Sequence, residues 1–224
     1  MTDAALFDWD GTLLDSREAL LGAWHAATDE VVGRRFPVTA EEEELVFTLP
    51  GAHLFPRVAG DDDGARRLAA AFQRAYESTS ERVRAFPGVV EMLRDLRGAG
   101  VRIAVVTSKA RRRFAADAER IGVAELVDVA ICQEDTSQFK PSPEPVLHAL
   151  RGLGVEADRA VMVGDTPVDV EAGAAAGTRV VGVAWGASGA GPLLDAGADA
   201  VADDAADLER LVLQSAGERE RTAT

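Results

Sequence analysis

Residues Leu6–Ser16 read LFDWDGTLLDS, with two aspartates, Asp8 and Asp10, one residue apart at the end of a short apolar run. Residues 4–8 have the length and apolarity of a buried strand. A strand that ends this way brings carboxylates together. Burying them costs on the order of several kcal/mol unless a positive group lies between them. That partner must come from elsewhere in the chain.

Working outward, residues 17–32 carry Ala19, Leu20, Ala23, Trp24, Ala27 and Val31 at helical spacing. The texture then changes. Residues 33–82 hold helical stretches, one near 64–82, without strong strand signals. The EEEE run at 41–44 reads as a solvated first helical turn capped by Thr39. From residue 86 the pattern becomes regular. Helices are expected near 88–98, 110–121, 143–152 and 167–176. They alternate with strands at 101–106, 127–132, 160–163 and 179–184. Such alternation, with Val/Ile/Ala-rich strands, predicts an α/β fold: a Rossmann-like parallel sheet with helices on both faces. The polar residues 216–224 are expected to form a frayed tail.

Composition narrows the function. The 224 residues carry a formal charge of −14 and are 47% hydrophobic. An acidic chain of this kind opposes nucleic acid or an anionic membrane as partner. Cys132 is the single cysteine, so no internal disulfide forms, and its position after an apolar run suggests a core thiol. No leader-like or membrane-spanning apolar stretch is present, so a cytoplasmic location is expected. Lys109 and Lys140 are the only lysines among 24 basic residues. Both fall in segments that read as loops beyond strands, where a compact ammonium is not interchangeable with a guanidinium.

In parallel sheets, functional groups gather beyond the carboxyl ends of the strands. The residues expected there are Asp8 and Asp10, then Thr107, Ser108 and Lys109, then Lys140, and finally Gly164, Asp165, Thr166 and Asp169. Acids from separate parts of the chain thus converge with a hydroxyl and a lysine. Oxygen-only ligands suit Mg²⁺ better than zinc. None of His25, His53 and His148 lies in these loops.

The set DWDGTLLDS (8–16), VVTSK (105–109), KPSP (140–143) and GDTPVD (164–169), each piece after an expected strand, resembles the four motifs of the haloacid dehalogenase-like hydrolases. The likeness is to their phosphatase branch, phosphoglycolate-phosphatase-like, and spans roughly residues 4–185. It implies a small α-helical cap at 16–84 inserted into a core of residues 1–15 and 85–215. It implies that Asp8 is the nucleophile and Asp10 the general acid and base. Gly11 permits close approach of the backbone. Mg²⁺ would bind Asp8, Asp165 and the Asp10 carbonyl, with Asp169 in its outer shell. Thr107 and Ser108 would hold phosphate oxygens, and Lys140 would balance charge. The implied partner is a small phosphorylated substrate, for a monomer or homodimer.

Several residues keep two readings. Lys109 lines the phosphate pocket or is a solvated helix-start lysine. Glu134 and Asp135 orient Lys140 or are surface acids. Asp15 and Ser16 are expected to cap the next helix, and Trp9 to pack in core or cap. Within TLPGAHLFPR (48–57), His53 and Arg57 read a substrate anion or serve loop packing. Mutases of the β-phosphoglucomutase type carry a histidine at the position of Leu20, which weakens that alternative. Asp10 opposes dehalogenase and phosphonate-cleaving chemistry. A non-catalytic binding protein on the same fold is opposed by the four intact motifs.

Overall fold

The computed structural model describes residues 2–214; the expected polar tail lies outside them. Its centre is a six-stranded parallel sheet in the order β5-β4-β1-β6-β7-β8. The strands are β1 (Ala4–Phe7), β4 (Arg102–Val106), β5 (Val129–Ile131), β6 (Ala160–Gly164), β7 (Arg179–Val183) and β8 (Ala200–Ala202). β1 lies between β4 and β6, with Phe7 level with Val105 and Val163. All four β1 residues are buried, as a central strand covered on both faces requires.

The pleat divides the core into two layers. Ala5 and Phe7 face a cluster shared with α5 (Val89–Gly98), α6 (Arg111–Arg120) and α10 (Ala205–Leu213). Ala4 and Leu6 face the other cluster, with α7 (Glu144–Leu153), α8 (Pro167–Ala175) and α9 (Ala190–Asp195). Trp9 is buried edge-on to Phe114 of α6, with ring centroids 4.8 Å apart. Trp9 is therefore a core residue and not a substrate platform.

Between β1 and α5 the chain builds a helical cap of α1 (Arg17–Val31), α2 (Ala40–Thr48), α3 (Gly51–Ala59) and α4 (Asp62–Thr79). α1 and α4 pack along their apolar stripes, Ala19, Leu20, Ala23, Trp24 and Ala27 against Leu68, Ala71, Phe72 and Tyr76. Trp24 holds the cap together, with Phe36, Phe55 and Phe72 at centroid distances of 5.5, 5.0 and 5.2 Å. Thr39 caps α2 as expected, accepting from the Glu42 amide, while Glu42 accepts in return from the Val38 amide.

The chain leaves and re-enters the core side by side. β2 (Leu14–Asp15) pairs antiparallel with β3 (Arg84–Ala85), Leu14 opposite Ala85 and Asp15 opposite Arg84. This short ribbon is separate from the main sheet. We propose that it marks the limits of the inserted unit, residues 16–84. Among the described residues no helix is long and apolar enough to cross a membrane.

Candidate active site

The end of β1 delivers Asp8 and Asp10 to a turn closed by backbone hydrogen bonds from Leu13 and Leu14 to the Trp9 carbonyl. Gly11 in that turn has φ +89°, a left-handed conformation that favours glycine. A Cβ there would stand 2.2 Å from Asp165 Oδ2. The glycine is thus what lets this turn lie against the acid delivered by β6.

Asp8, Asp165 and Asp169 are buried, and one oxygen from each lies within 4.8 Å of the others. Lys140 is their cation. Its Nζ donates to Asp8 Oδ1 at 2.6 Å, to Asp169 Oδ1 at 2.6 Å and to the Val106 carbonyl at 3.1 Å, which uses all three of its protons. Asp165 accepts from Thr12 at 3.1 Å and from the Ala187 amide at 2.7 Å. The second oxygen of Asp169 is occupied by the amide and hydroxyl of Thr166, at 3.1 and 2.6 Å.

Burial dominates the electrostatics. It pushes Asp8 well above the usual carboxylate range, helped by Asp169 and Asp165 and opposed by Lys140. It lifts Asp165 to about 7, with Asp169 adding to the shift. For Lys140, burial works against the charge, but Asp169 and Asp8 prevail and keep the ammonium above its ordinary value. Three carboxylates facing one ammonium leave two negative charges unbalanced, and the donors are all oxygen. This set fits a hard divalent cation.

Lys109 is not a solvated helix-start lysine; it lines the same cavity as Asp8 and Asp10. It is buried, and its Nζ bonds Asp10 Oδ1 at 2.8 Å, Asp117 Oδ2 of α6 at 2.7 Å and the Tyr76 hydroxyl of α4 at 2.8 Å. Tyr76 in turn donates to Asp117 at 3.1 Å. Asp10, Tyr76 and Asp117 together outweigh burial and raise the Lys109 pKa. Ser16 sits at the start of α1 but does not cap it; its hydroxyl donates to Asp10 Oδ1 at 2.6 Å. Two donors therefore fix the same oxygen of Asp10. No pattern in the sequence announces Tyr76, Asp117 or the Ser16 contact.

Asp8, Asp10, Thr107, Ser108 and Lys109 open onto one cavity of about 60 Å³. Its cap side is apolar, with Leu20, Trp24, Phe47, Leu49, Phe55 and Phe72. His53 and Arg57 are not among its walls. Both project from the exposed side of α3, and His53 packs edge-on to Phe139 at 4.8 Å. Gly51 and Phe55 represent α3 in the cavity instead. Glu134 and Asp135 are surface acids. Glu134 accepts from the Arg111 amide, and Asp135 pairs with the Arg111 side chain and the Cys132 amide. The β7–α9 loop is a further contributor. The Trp185 indole donates to the Thr12 carbonyl at 3.0 Å, and a Cβ on Gly186 would stand 2.2 Å from the Asp165 Cβ.

Residues 5–183 match the sequence model of the family described as haloacid dehalogenase-like hydrolase. The chain belongs to that family. Relatives of this hydrolase include pyrophosphatase PpaX of Bacillus velezensis, 34% identical over 196 residues, 85% of this chain and 88% of that one. A plasmid phosphoglycolate phosphatase of Cupriavidus necator is 34% identical over 218 residues, 93% of this chain and 92% of that one. The crystal structure of a hydrolase from Pseudomonas syringae superposes with a TM-score of 0.82 at 25% identity, covering 93% of this chain and 97% of that one. The hydrolase is a phosphatase of this family, and the buried Asp8, Asp165 and Asp169 form its metal site.

Proposed function

We propose that this hydrolase is a Mg²⁺-dependent phosphatase that removes phosphate from a small metabolite through an aspartyl-phosphate on Asp8. The observation that carries the reading is the joint presentation of Asp8 and Asp10 in one cavity, with Asp8 held by Lys140. Lys140 occupies one Asp8 oxygen, which leaves the other for attack on phosphorus. The bond from phosphorus to the leaving oxygen then breaks, and that oxygen takes a proton from Asp10. Asp10 next removes a proton from water, which attacks the same phosphorus and releases phosphate and the Asp8 carboxylate. Thr107 and Ser108 bind the transferring phosphoryl oxygens, and Lys140 balances their charge.

Asp8, Asp165 and the Asp10 carbonyl would hold the metal. Asp169 shares Lys140 with Asp8 and holds the Thr166 amide and hydroxyl, and its proposed role is to orient those groups from the outer shell. Bound Mg²⁺ supplies positive charge to the phosphoryl oxygens. The cavity has room for about four to six waters, which favours a compact substrate. The named relatives support phosphoglycolate and pyrophosphate as substrates to try first. Leu20 places an apolar wall where a mutase needs a base, so simple hydrolysis is preferred.

The test is intact-mass measurement after rapid mixing with Mg²⁺ and p-nitrophenyl phosphate, a substrate with a good leaving group. Asp10→Asn should accumulate one phosphoryl group and turn over slowly, because no base activates water. Asp8→Asn should show neither covalent phosphate nor turnover, and EDTA should silence the wild type. A phosphoryl group retained on Asp8→Asn would place the nucleophile elsewhere.

A further inference from the structure

Arg113 lies in the first turn of α6 and lines the same cavity as Asp8, Asp10 and Ser108. Its two arginine neighbours are accounted for on the surface, Arg111 by Asp135 and Arg112 by Glu77. Arg113 is different. Among the described residues no carboxylate forms an ion pair with it. Nη1 reaches Gln73 Oε1 at a long 3.4 Å, the Phe72 ring lies 5.2 Å from the guanidinium carbon, and the buried Nε has no partner. Nε and Nη2 form one edge of the guanidinium fork, so that whole edge lacks a protein acceptor. Burial draws the Arg113 pKa down, although Asp10, Tyr76 and Asp117 partly offset this.

A guanidinium whose Nε is kept from water without an acceptor is costly, and its fixed fork is the shape that receives a carboxylate or phosphate through two hydrogen bonds. The remaining cap-side wall cannot supply one, because Leu20, Trp24, Phe47, Leu49 and Phe55 are apolar. The two groups that contact the guanidinium, Phe72 and Gln73, both belong to cap helix α4.

We propose that Arg113 binds a second anionic group of the substrate, a carboxylate or a second phosphate, carried a few atoms from the phosphorus that Asp8 attacks. This rests on the phosphatase reading and names the substrate class within it: compact phosphorylated compounds with two anionic ends. A phosphomonoester with a neutral tail leaves the fork unpaired and is disfavoured for that reason. Arg113 is then a specificity residue, and the apolar walls around it make the charge matter more.

The experiment compares kcat/KM for phosphoglycolate and pyrophosphate with kcat/KM for glycerol 3-phosphate, whose tail is neutral. Wild type should favour an anionic-tailed substrate by about tenfold or more. Arg113→Gln should lower that ratio by about tenfold, and Arg113→Lys by less, because it keeps the charge and loses the fork. A bare clamp between α6 and α4 would instead slow all substrates alike and leave the ratio fixed, which would overturn the proposal. Wild type preferring the neutral tail would overturn it without any variant, so the test survives a variant that fails to fold. If wild type with Mg²⁺ hydrolyses none of these compounds and no p-nitrophenyl phosphate, the phosphatase reading itself falls. Turnover without the expected ratio removes Arg113 alone.

Discussion

The two lysines of this chain are both buried, and each bridges two carboxylates, yet they answer to different parts of the molecule. Lys140 binds Asp8, Asp169 and the Val106 carbonyl, all of the core. Lys109 binds Asp10 and Asp117 of the core, but its third partner is Tyr76 of the cap. The first arrangement is complete whatever the cap does. The second is complete only when α4 sits on the core. Asp8, the proposed nucleophile, is therefore held by the core alone, whereas the lysine that holds Asp10, the proposed proton carrier, also depends on a cap contact.

The largest effect should come from the Lys140 side. Lys140→Ala should cut turnover by roughly a hundredfold or more, because three clustered carboxylates lose their ammonium. Lys140→Arg should rescue it poorly, since the planar fork does not fit a site made for a compact charge. Steady-state kinetics check this, and near-normal turnover in Lys140→Ala would break the comparison at its root.

Lys109→Met should come next. It leaves Asp117 and Asp10 without their shared cation, although Asp117 keeps Arg120 and Asp10 keeps Ser16, so a loss of about 1–3 kcal/mol of stability is expected in urea unfolding. Turnover should fall by about tenfold, and more for alkyl phosphates than for p-nitrophenyl phosphate, because proton delivery by Asp10 matters most for a poor leaving group. An equal loss on both substrates would mean that Lys109 only stabilises the fold.

Tyr76→Phe removes one hydroxyl from the same cluster. The expected stability cost is about 1 kcal/mol, and turnover should fall by only a few fold. In a Lys109→Met background the cost of Tyr76→Phe should differ from its cost in the wild type, since the hydroxyl has lost Lys109 and keeps only Asp117. Full additivity would detach the cap from Asp10.

The smallest effect sharpens the comparison from the core side. Cys132 is buried and lines the small cavity beside Lys140, where burial pushes its thiol up to about 12. The native thiol stays protonated at pH 8, and raising the pH toward 12 favours the thiolate. Alkylation at pH 8 should be very slow, and equally slow with or without substrate. A rate that responds to substrate would show that the Lys140 side also opens.

The core was legible because its strands are short apolar runs with function at their ends. Asp8, Asp165, Asp169 and Lys140 all lie beyond the carboxyl ends of such runs, where a parallel sheet gathers its functional groups. The reading failed where the deciding contacts join distant segments. Tyr76 and Asp117 have the spacing of ordinary helix residues, and nothing local tells that α4 and α6 meet over Lys109. His53 and Arg57 drew attention by residue type, but the helical phase of α3 turns them outward and turns Gly51 and Phe55 inward. The two-residue strands β2 and β3 are too short to have a period. Arg113 was hidden within a run of three arginines, of which only one turns toward the cavity.

The β2–β3 ribbon has a consequence for how such a molecule can be altered. Leu14 and Ala85 are neighbours across the ribbon although some seventy residues of chain separate them. To the sheet below, the cap is a detour that begins and ends at one spot. Its length can thus change without altering the order of the strands, provided the two ends still meet. A different helical roof can follow Asp15 and rejoin at Arg84 over the same strands. A protein engineer can do the same, grafting a foreign lid between Asp15 and Arg84 without redesigning a single strand of the sheet.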